Sequence, residues 1–156
     1  MENPTTINGF DFILLIPQEL SQVTGIIYPG LREIQRQARK KGLDWELQNI
    51  LREIEVNFAS LVMIYKERQY VGFMVNKSIY VGSPNRHLYQ TVALYVEPIF
   101  RSFDGLAYNS AEEYASLFAK ELKCQGCLQR SFRIGHGKKL EKRGYELKEM
   151  TWIKEF

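Results

Sequence analysis

The stretch that decides how this chain folds is Val96-Glu97-Pro98-Ile99-Phe100-Arg101-Ser102-Phe103-Asp104-Gly105-Leu106-Ala107. Before it, Leu88 to Val96 is rich in β-branched and aromatic residues and reads as a strand. After it, Ala111, Ala115, Phe118 and Leu122 recur at helical spacing. Ser110-Ala111-Glu112-Glu113 matches a capping box, which predicts a helix from Ser110 to about Lys123. A strand that passes through an Arg- and Gly-bearing loop into a helix start is an anion site in outline. The unpaired amides of the first turn and the positive end of the helix dipole both favour phosphate there.

Working outward, Gly9 to Ile16 reads as a first strand. Leu20, Val23 and Ile27 follow at helical spacing up to Pro29-Gly30, which predicts a kink or break. Leu31, Ile34 and Ala38 resume the period until Lys40-Lys41-Gly42 ends it. Asp44 is the expected cap of a second helix with Leu47, Ile50, Leu51 and Ile54 inward. The period then changes from 3.6 to 2. Ala59–Tyr65 and Gln69–Lys77 read as a hairpin turned at Lys66-Glu67-Arg68, and Ser83-Pro84-Asn85 marks the next turn. Beyond the central helix, stopped at Gly126, come a strand at Cys127–Ile134, a short basic helix at Lys138–Arg143 and a last strand at Tyr145–Phe156. The order predicts an α/β fold with a mixed, largely antiparallel central sheet flanked by helices, in one domain spanning 1–156.

Composition agrees with a packed core: 156 residues are 45% hydrophobic, with nine Phe and nine Tyr. The longest apolar run, Phe12 to Pro17, is too short to cross a membrane, and the start lacks the basic and apolar segments of a secretory signal. A cytoplasmic protein without a membrane partner is expected. A net charge of +3 is too small to imply a nucleic-acid partner, and no aromatic-plus-basic RNA-binding pattern is present. The two cysteines form a lone Cys124-Gln125-Gly126-Cys127, with only His87 and His136 beside them. This reads as a pair of free thiols, and no metal site is expected.

Three pieces of the chain resemble the GNAT superfamily of acyl-CoA N-acyltransferases. Tyr70-Val71-Gly72-Phe73 is similar to the hairpin of its second and third strands. Val96-x-Pro98-x-x-Arg101 with Gly105-Leu106-Ala107 is similar to the strand-4 exit and pyrophosphate loop. Lys139 to Tyr145 is similar to its late helix and turn. The resemblance implies acetyl-CoA as the cofactor and transfer of an acetyl group to a small-molecule or protein amine. It implies that Tyr95, Val96, Arg101, Gly105, Leu106 and Ala107 bind acetyl-CoA, and that Glu97 at the strand's end deprotonates the amine. The chain also departs from the family pattern. One residue is inserted after Arg101, Leu140 stands where many members have a Tyr acid, and Arg133 stands where they have an Asn. These departures fit the alternative of a GNAT-fold binding or structural protein without catalysis, such as a bacteriophage virion component.

Other candidates have plainer readings beside them. His136 is a base or a surface residue. Arg130, Arg133, Lys138, Lys139, Lys142 and Arg143 meet the 3′-phosphate of CoA or form a charged outer face, and the same choice applies to the run Arg36 to Lys41. Tyr65, Tyr70, Tyr89 and Tyr95 read as sheet packing. The edge at Trp152-Ile153 is available for pairing into a homo-oligomer or a virion assembly.

Overall fold

The computed structural model describes residues 3–81, 86–102 and 104–129, together with Lys142. Its centre is a six-stranded sheet in the order β1 to β6. The strands are β1 (Thr5–Ile7), β2 (Phe10–Leu14), β3 (Ser60–Lys66), β4 (Gln69–Val81), β5 (Arg86–Val96) and β6 (Gly126–Gln129). All neighbours are antiparallel except β5 and β6, which run parallel. Helices α1 (Leu20–Lys40) and α2 (Leu47–Glu55) follow β2, and α3 (Leu106–Glu121) forms the crossover from β5 to β6.

Alternation along the central strands gives the sheet two buried faces. Leu61, Met63, Phe73 and Val75 pack with Ile27, Leu31 and Ile34 of α1 and with Leu47, Ile50 and Ile54 of α2. Val62, Ile64, Val71 and Met74 pack with Ala107, Ala111, Tyr114 and Ala115 of α3. Each large apolar side chain removed from water here contributes about 1.5–3 kcal/mol before entropy is subtracted. Leu51 is half-buried, so the inward stripe of α2 is narrower than its spacing predicts.

Several local expectations are corrected. Pro29-Gly30 does not interrupt α1, which runs as one helix of 21 residues. Pro29 and the i−4 residue Gly25 are both exposed, so water can meet the carbonyl that Pro29 leaves without a donor. Gly30 is buried because α1 lies directly on the sheet, and a Cβ there would sit 2.7 Å from the rings of Phe73 and Tyr95. The N-cap of α2 is Glu46 rather than Asp44, and Gln35 Oε1 accepts the Leu47 amide at 2.8 Å. The first strand is preceded by β1, and the two are joined by Asn8-Gly9, both at positive φ.

Helix α3 begins at Leu106, four residues before the predicted Ser110. Ser110 lies inside the helix, where its hydroxyl donates to the Leu106 carbonyl at 2.7 Å. The helix also ends earlier than Gly126. Lys123 takes a left-handed φ of 58°, and the Lys123 and Cys124 amides close onto Lys120 O and Ala119 O. The turn at Ser83-Pro84-Asn85, the end of the strand predicted to Ile134, the late helix except Lys142, and the strand at Tyr145–Phe156 lie outside the described residues.

Candidate functional site

The site forms where β5 leaves the sheet. Two irregularities shape it. Val75 faces Ala93 but Asn76 faces Thr91, so Val92 is an extra residue that bulges from β5. Among the described residues, β6 pairs with β5 at Leu88 to Thr91, immediately before that bulge. The stretch Val92–Val96 therefore has no strand on that side within the described residues. The Val92 carbonyl accepts the indole N–H of Trp45 at 3.1 Å, which ties the α1–α2 connection to the bulge. A second bulge lies in β4, between the pairs Ile64/Gly72 and Tyr65/Tyr70. Gly72 lets β5 come close, since a Cβ there would lie 2.0 Å from the Tyr95 carbonyl oxygen.

The two bulges bring Tyr65, Tyr70, Tyr95 and Glu97 to one end of the sheet. The Tyr65 and Tyr70 rings meet edge to face at 6.3 Å, and Tyr95 stacks on Phe73 at 5.8 Å. The Glu97 amide donates to Val71 O at 2.7 Å and fixes the strand exit. Its carboxylate is half-buried, within electrostatic reach of Tyr70 and Tyr95. The Tyr70 hydroxyl is buried without a hydrogen-bond partner among the described residues. Burial pushes it well above the ordinary tyrosine range, and the negative charge of Glu97 adds to the effect. Burial also raises Tyr95, helped by Glu97 and Glu33 and opposed by Arg101.

Arg101 turns back toward the sheet. Its Nε donates to Val96 O at 2.6 Å, its Nη2 lies 3.5 Å from Glu33 Oε1 of α1, and its guanidinium stands 5.4 Å from the centre of the Tyr95 ring. The helix start beyond it carries an internal anion. Asp104 Oδ1 accepts the Leu106 amide at 3.2 Å and the Ser102 hydroxyl, while the Gly105 amide donates to Ser102 O at 3.0 Å. Gly105 itself sits at a φ of 64°, which a side chain would resist. Ala107 is buried against the sheet. The structure thus brings Glu97, Tyr95 and Val96 together at the strand exit. It gives Arg101 and the Gly105 and Leu106 amides partners within the protein.

The placement of Tyr70 beside Glu97 had no signal in the sequence, because a Tyr two residues before a Gly reads equally well as packing. The Val92 bulge and its Trp45 partner were equally silent. The Asp104 turn before the helix had a local signal, an Asp one residue before a Gly. Leu140, Arg133, His136 and the basic cluster apart from Lys142 lie outside the described residues; Lys142 is exposed. Cys124 and Cys127 form no disulfide, and Cys124 Sγ stands 3.8 Å from His87 Nε2. No three His, Cys, Asp or Glu side chains converge on a metal position among the described residues, and no described helix is long and apolar enough to cross a membrane.

A sheet with a parallel β5–β6 step, a bulged β5 and a helix crossover between them can be set beside solved structures. A ribosomal-protein-alanine N-acetyltransferase from Brucella melitensis biovar Abortus superposes with a TM-score of 0.65 at 15% identity, over 94% of this chain and 99% of that one. A protein from Clostridium acetobutylicum called a predicted acetyltransferase, described with acetyl-CoA, gives 0.62 at 14% identity over 94% and 96%. A GNAT family acetyltransferase from Staphylococcus aureus gives 0.60 at 16% identity over 95% and 99%.

The fold is that of the GNAT acetyltransferases.

No protein-family model matches the chain, and no curated protein sequence does. The GNAT likeness therefore lies in backbone architecture, at identities of 14–16%.

Proposed function

We propose that this GNAT-fold protein transfers an acetyl group from acetyl-CoA to a primary amine, with Glu97 as the base. The observation that carries this reading is the Glu97 carboxylate at the end of β5, beside Tyr70 and Tyr95 and adjoining a strand edge that is open among the described residues. Amides along Val92–Val96 would pair with the amide-bearing arm of acetyl-CoA, as a further strand would. The fit at the helix start is conditional, since a diphosphate there would take the place of the Asp104 carboxylate.

When bound, acetyl-CoA supplies an acetyl thioester, an acyl group activated toward amines. Glu97 Oε receives the proton that the amine nitrogen sheds as its C–N bond forms. Tyr70 Oη keeps its proton through neutral pH, and it would supply a proton donor at this end of the sheet if the bound thioester reached it. Tyr95 and Phe73, stacked beneath α1, form an apolar wall that excludes water from this end of the sheet.

Calorimetric titration with acetyl-CoA, paired with thiol release in the presence of amines, tests the proposal. Saturable binding and Glu97-dependent thiol release are expected; no binding at millimolar acetyl-CoA would reject it. The engaged Gly105 and Leu106 amides favour a second reading, a GNAT scaffold that binds a partner without catalysis. An Asp104→Ala variant that still fails to bind acetyl-CoA would favour that second reading.

A further inference from the structure

A strongly basic concavity lies on α1, next to the strand exit. It is a groove of about 820 Å³ whose rim carries Arg32, Arg36, Arg39 and Lys40, with Pro29 and Tyr95 in its lining. Two charges in it are already balanced. Arg39 pairs with Glu46 at 3.3 Å, and Glu33 is held by Arg101. Arg32, Arg36 and Lys40 form no ion pair among the described residues, and all three are exposed. They stand at i, i+4 and i+8 of one helix, stacked on one face with about 6 Å between successive residues. Like charges at that spacing repel and work against the helix, and a bound oxyanion reverses the sign of that effect.

Tyr95 gives the groove its direction. The ring lines the groove, and the same residue lies within electrostatic reach of Glu97. An elongated ligand anchored by its acidic end among the α1 arginines would extend past Tyr95 toward the Glu97 carboxylate. The two ends thus ask for opposite charges: an oxyanion at Arg32 and Arg36, and a basic nitrogen at Glu97.

We infer that the acyl acceptor is an anionic amine, a compound whose carboxylate or phosphate is gripped by Arg32 and Arg36 while its primary amine lies beside Glu97. The acceptor role rests on the acetyl-transfer reading above, whereas the anion site stands on the groove alone. A planar guanidinium takes two oxygens of either group in parallel, so carboxylate and phosphate share the recognition.

Four amines of similar length separate the outcomes: γ-aminobutyrate, aminopropyl phosphate, butylamine and diaminobutane. Each is titrated into the protein without acetyl-CoA, with binding followed by NMR shifts. The two amines that carry an oxyanion are expected to bind at least about tenfold more tightly than the monocationic butylamine and the dicationic diaminobutane. The variant R32E/R36E is expected to abolish that preference with acetyl-CoA affinity unchanged, and R32Q/R36Q serves if charge reversal disturbs folding. Equal affinity for all four amines, or a preference that survives both variants, overturns the inference. Loss of acetyl-CoA binding in R32E/R36E also overturns it, because the groove then serves the phosphates of CoA. If anionic amines bind through the arginines but no amine is acetylated, the anion site holds and acetyl transfer fails. If amines are acetylated with no preference for anionic ones, acetyl transfer holds and the inference fails.

Discussion

Arg101 Nη2 lies 3.5 Å from Glu33 Oε1, so the loop that leaves β5 is pinned to the middle of α1. The guanidinium also holds the Val96 carbonyl at 2.6 Å and covers Tyr95, which makes it a brace between helix, strand and loop. Arg101→Ala removes a charge-assisted hydrogen bond and a partly exposed ion pair together, for an expected loss of about 1–3 kcal/mol in urea denaturation. Glu33→Gln keeps the hydrogen bond to Val96 and is expected to cost less than about 1 kcal/mol. Equal losses in the two variants would contradict the bracing role.

Glu97 is fixed through its backbone, not its carboxylate, because its amide holds Val71 O. Glu97→Gln is therefore expected to melt like the parent while thiol release from acetyl-CoA falls by about 10²–10⁴-fold. Unchanged turnover in this variant would remove Glu97 as the base.

Asp104 places a carboxylate where an incoming diphosphate would sit. Asp104→Ala is expected to lose about 1 kcal/mol of stability with its hydrogen bonds from the Leu106 amide and the Ser102 hydroxyl. It is also expected to bind acetyl-CoA about tenfold more tightly, since the internal anion no longer competes. Weaker binding in the variant would mean that Asp104 assists the ligand.

Tyr70 carries a buried hydroxyl without a partner, so Tyr70→Phe is expected to stabilise the protein by about 1 kcal/mol near neutral pH. Its raised pKa adds a pH dependence with a definite sign. Above the ordinary tyrosine value of about 10 the unfolded chain releases this proton while the folded chain keeps it. Stability then falls with rising pH, because the native state binds more protons. The advantage of Tyr70→Phe over the parent is therefore expected to grow as pH rises from about 9 to about 11, through the ordinary tyrosine value. Denaturant titrations at several pH values check this, and a constant difference would refute it.

Gly72 tolerates no side chain, because a Cβ would stand 2.0 Å from the Tyr95 carbonyl oxygen. Gly72→Ala is expected to cost about 3 kcal/mol and to disturb the Tyr95 ring, read by a lowered melting temperature and by near-UV circular dichroism.

Much of the sheet could be read from the chain, because Leu61–Tyr65 and Tyr70–Val75 are runs rich in β-branched and aromatic residues joined by a short turn; the bulge at Val71, which puts it on the face opposite Phe73 and Val75, could not. The ends of helices were less legible. Ser110 and Glu113 have the spacing of a capping box, but that pattern carries no information about whether a turn precedes it. Here Gly105 at positive φ and Asp104 start the helix one turn earlier. At the site, Glu97 and Tyr95 followed from their place at the strand exit. Tyr70 and the α1 groove did not, since both depend on tertiary geometry: a bulge that shifts β4 by one residue, and a helix whose Gly30 rests on two aromatic rings.

The hydrogen bond from Trp45 to the Val92 carbonyl gives the molecule a built-in optical gauge. Trp152 is the second indole in the chain, so a Trp152→Phe background isolates one emitter seated on the β5 bulge. A change in the bulge carbonyl's bonding alters the polarity around that indole and displaces its fluorescence maximum. Occupancy of the strand edge can thus be followed in solution without attaching a dye.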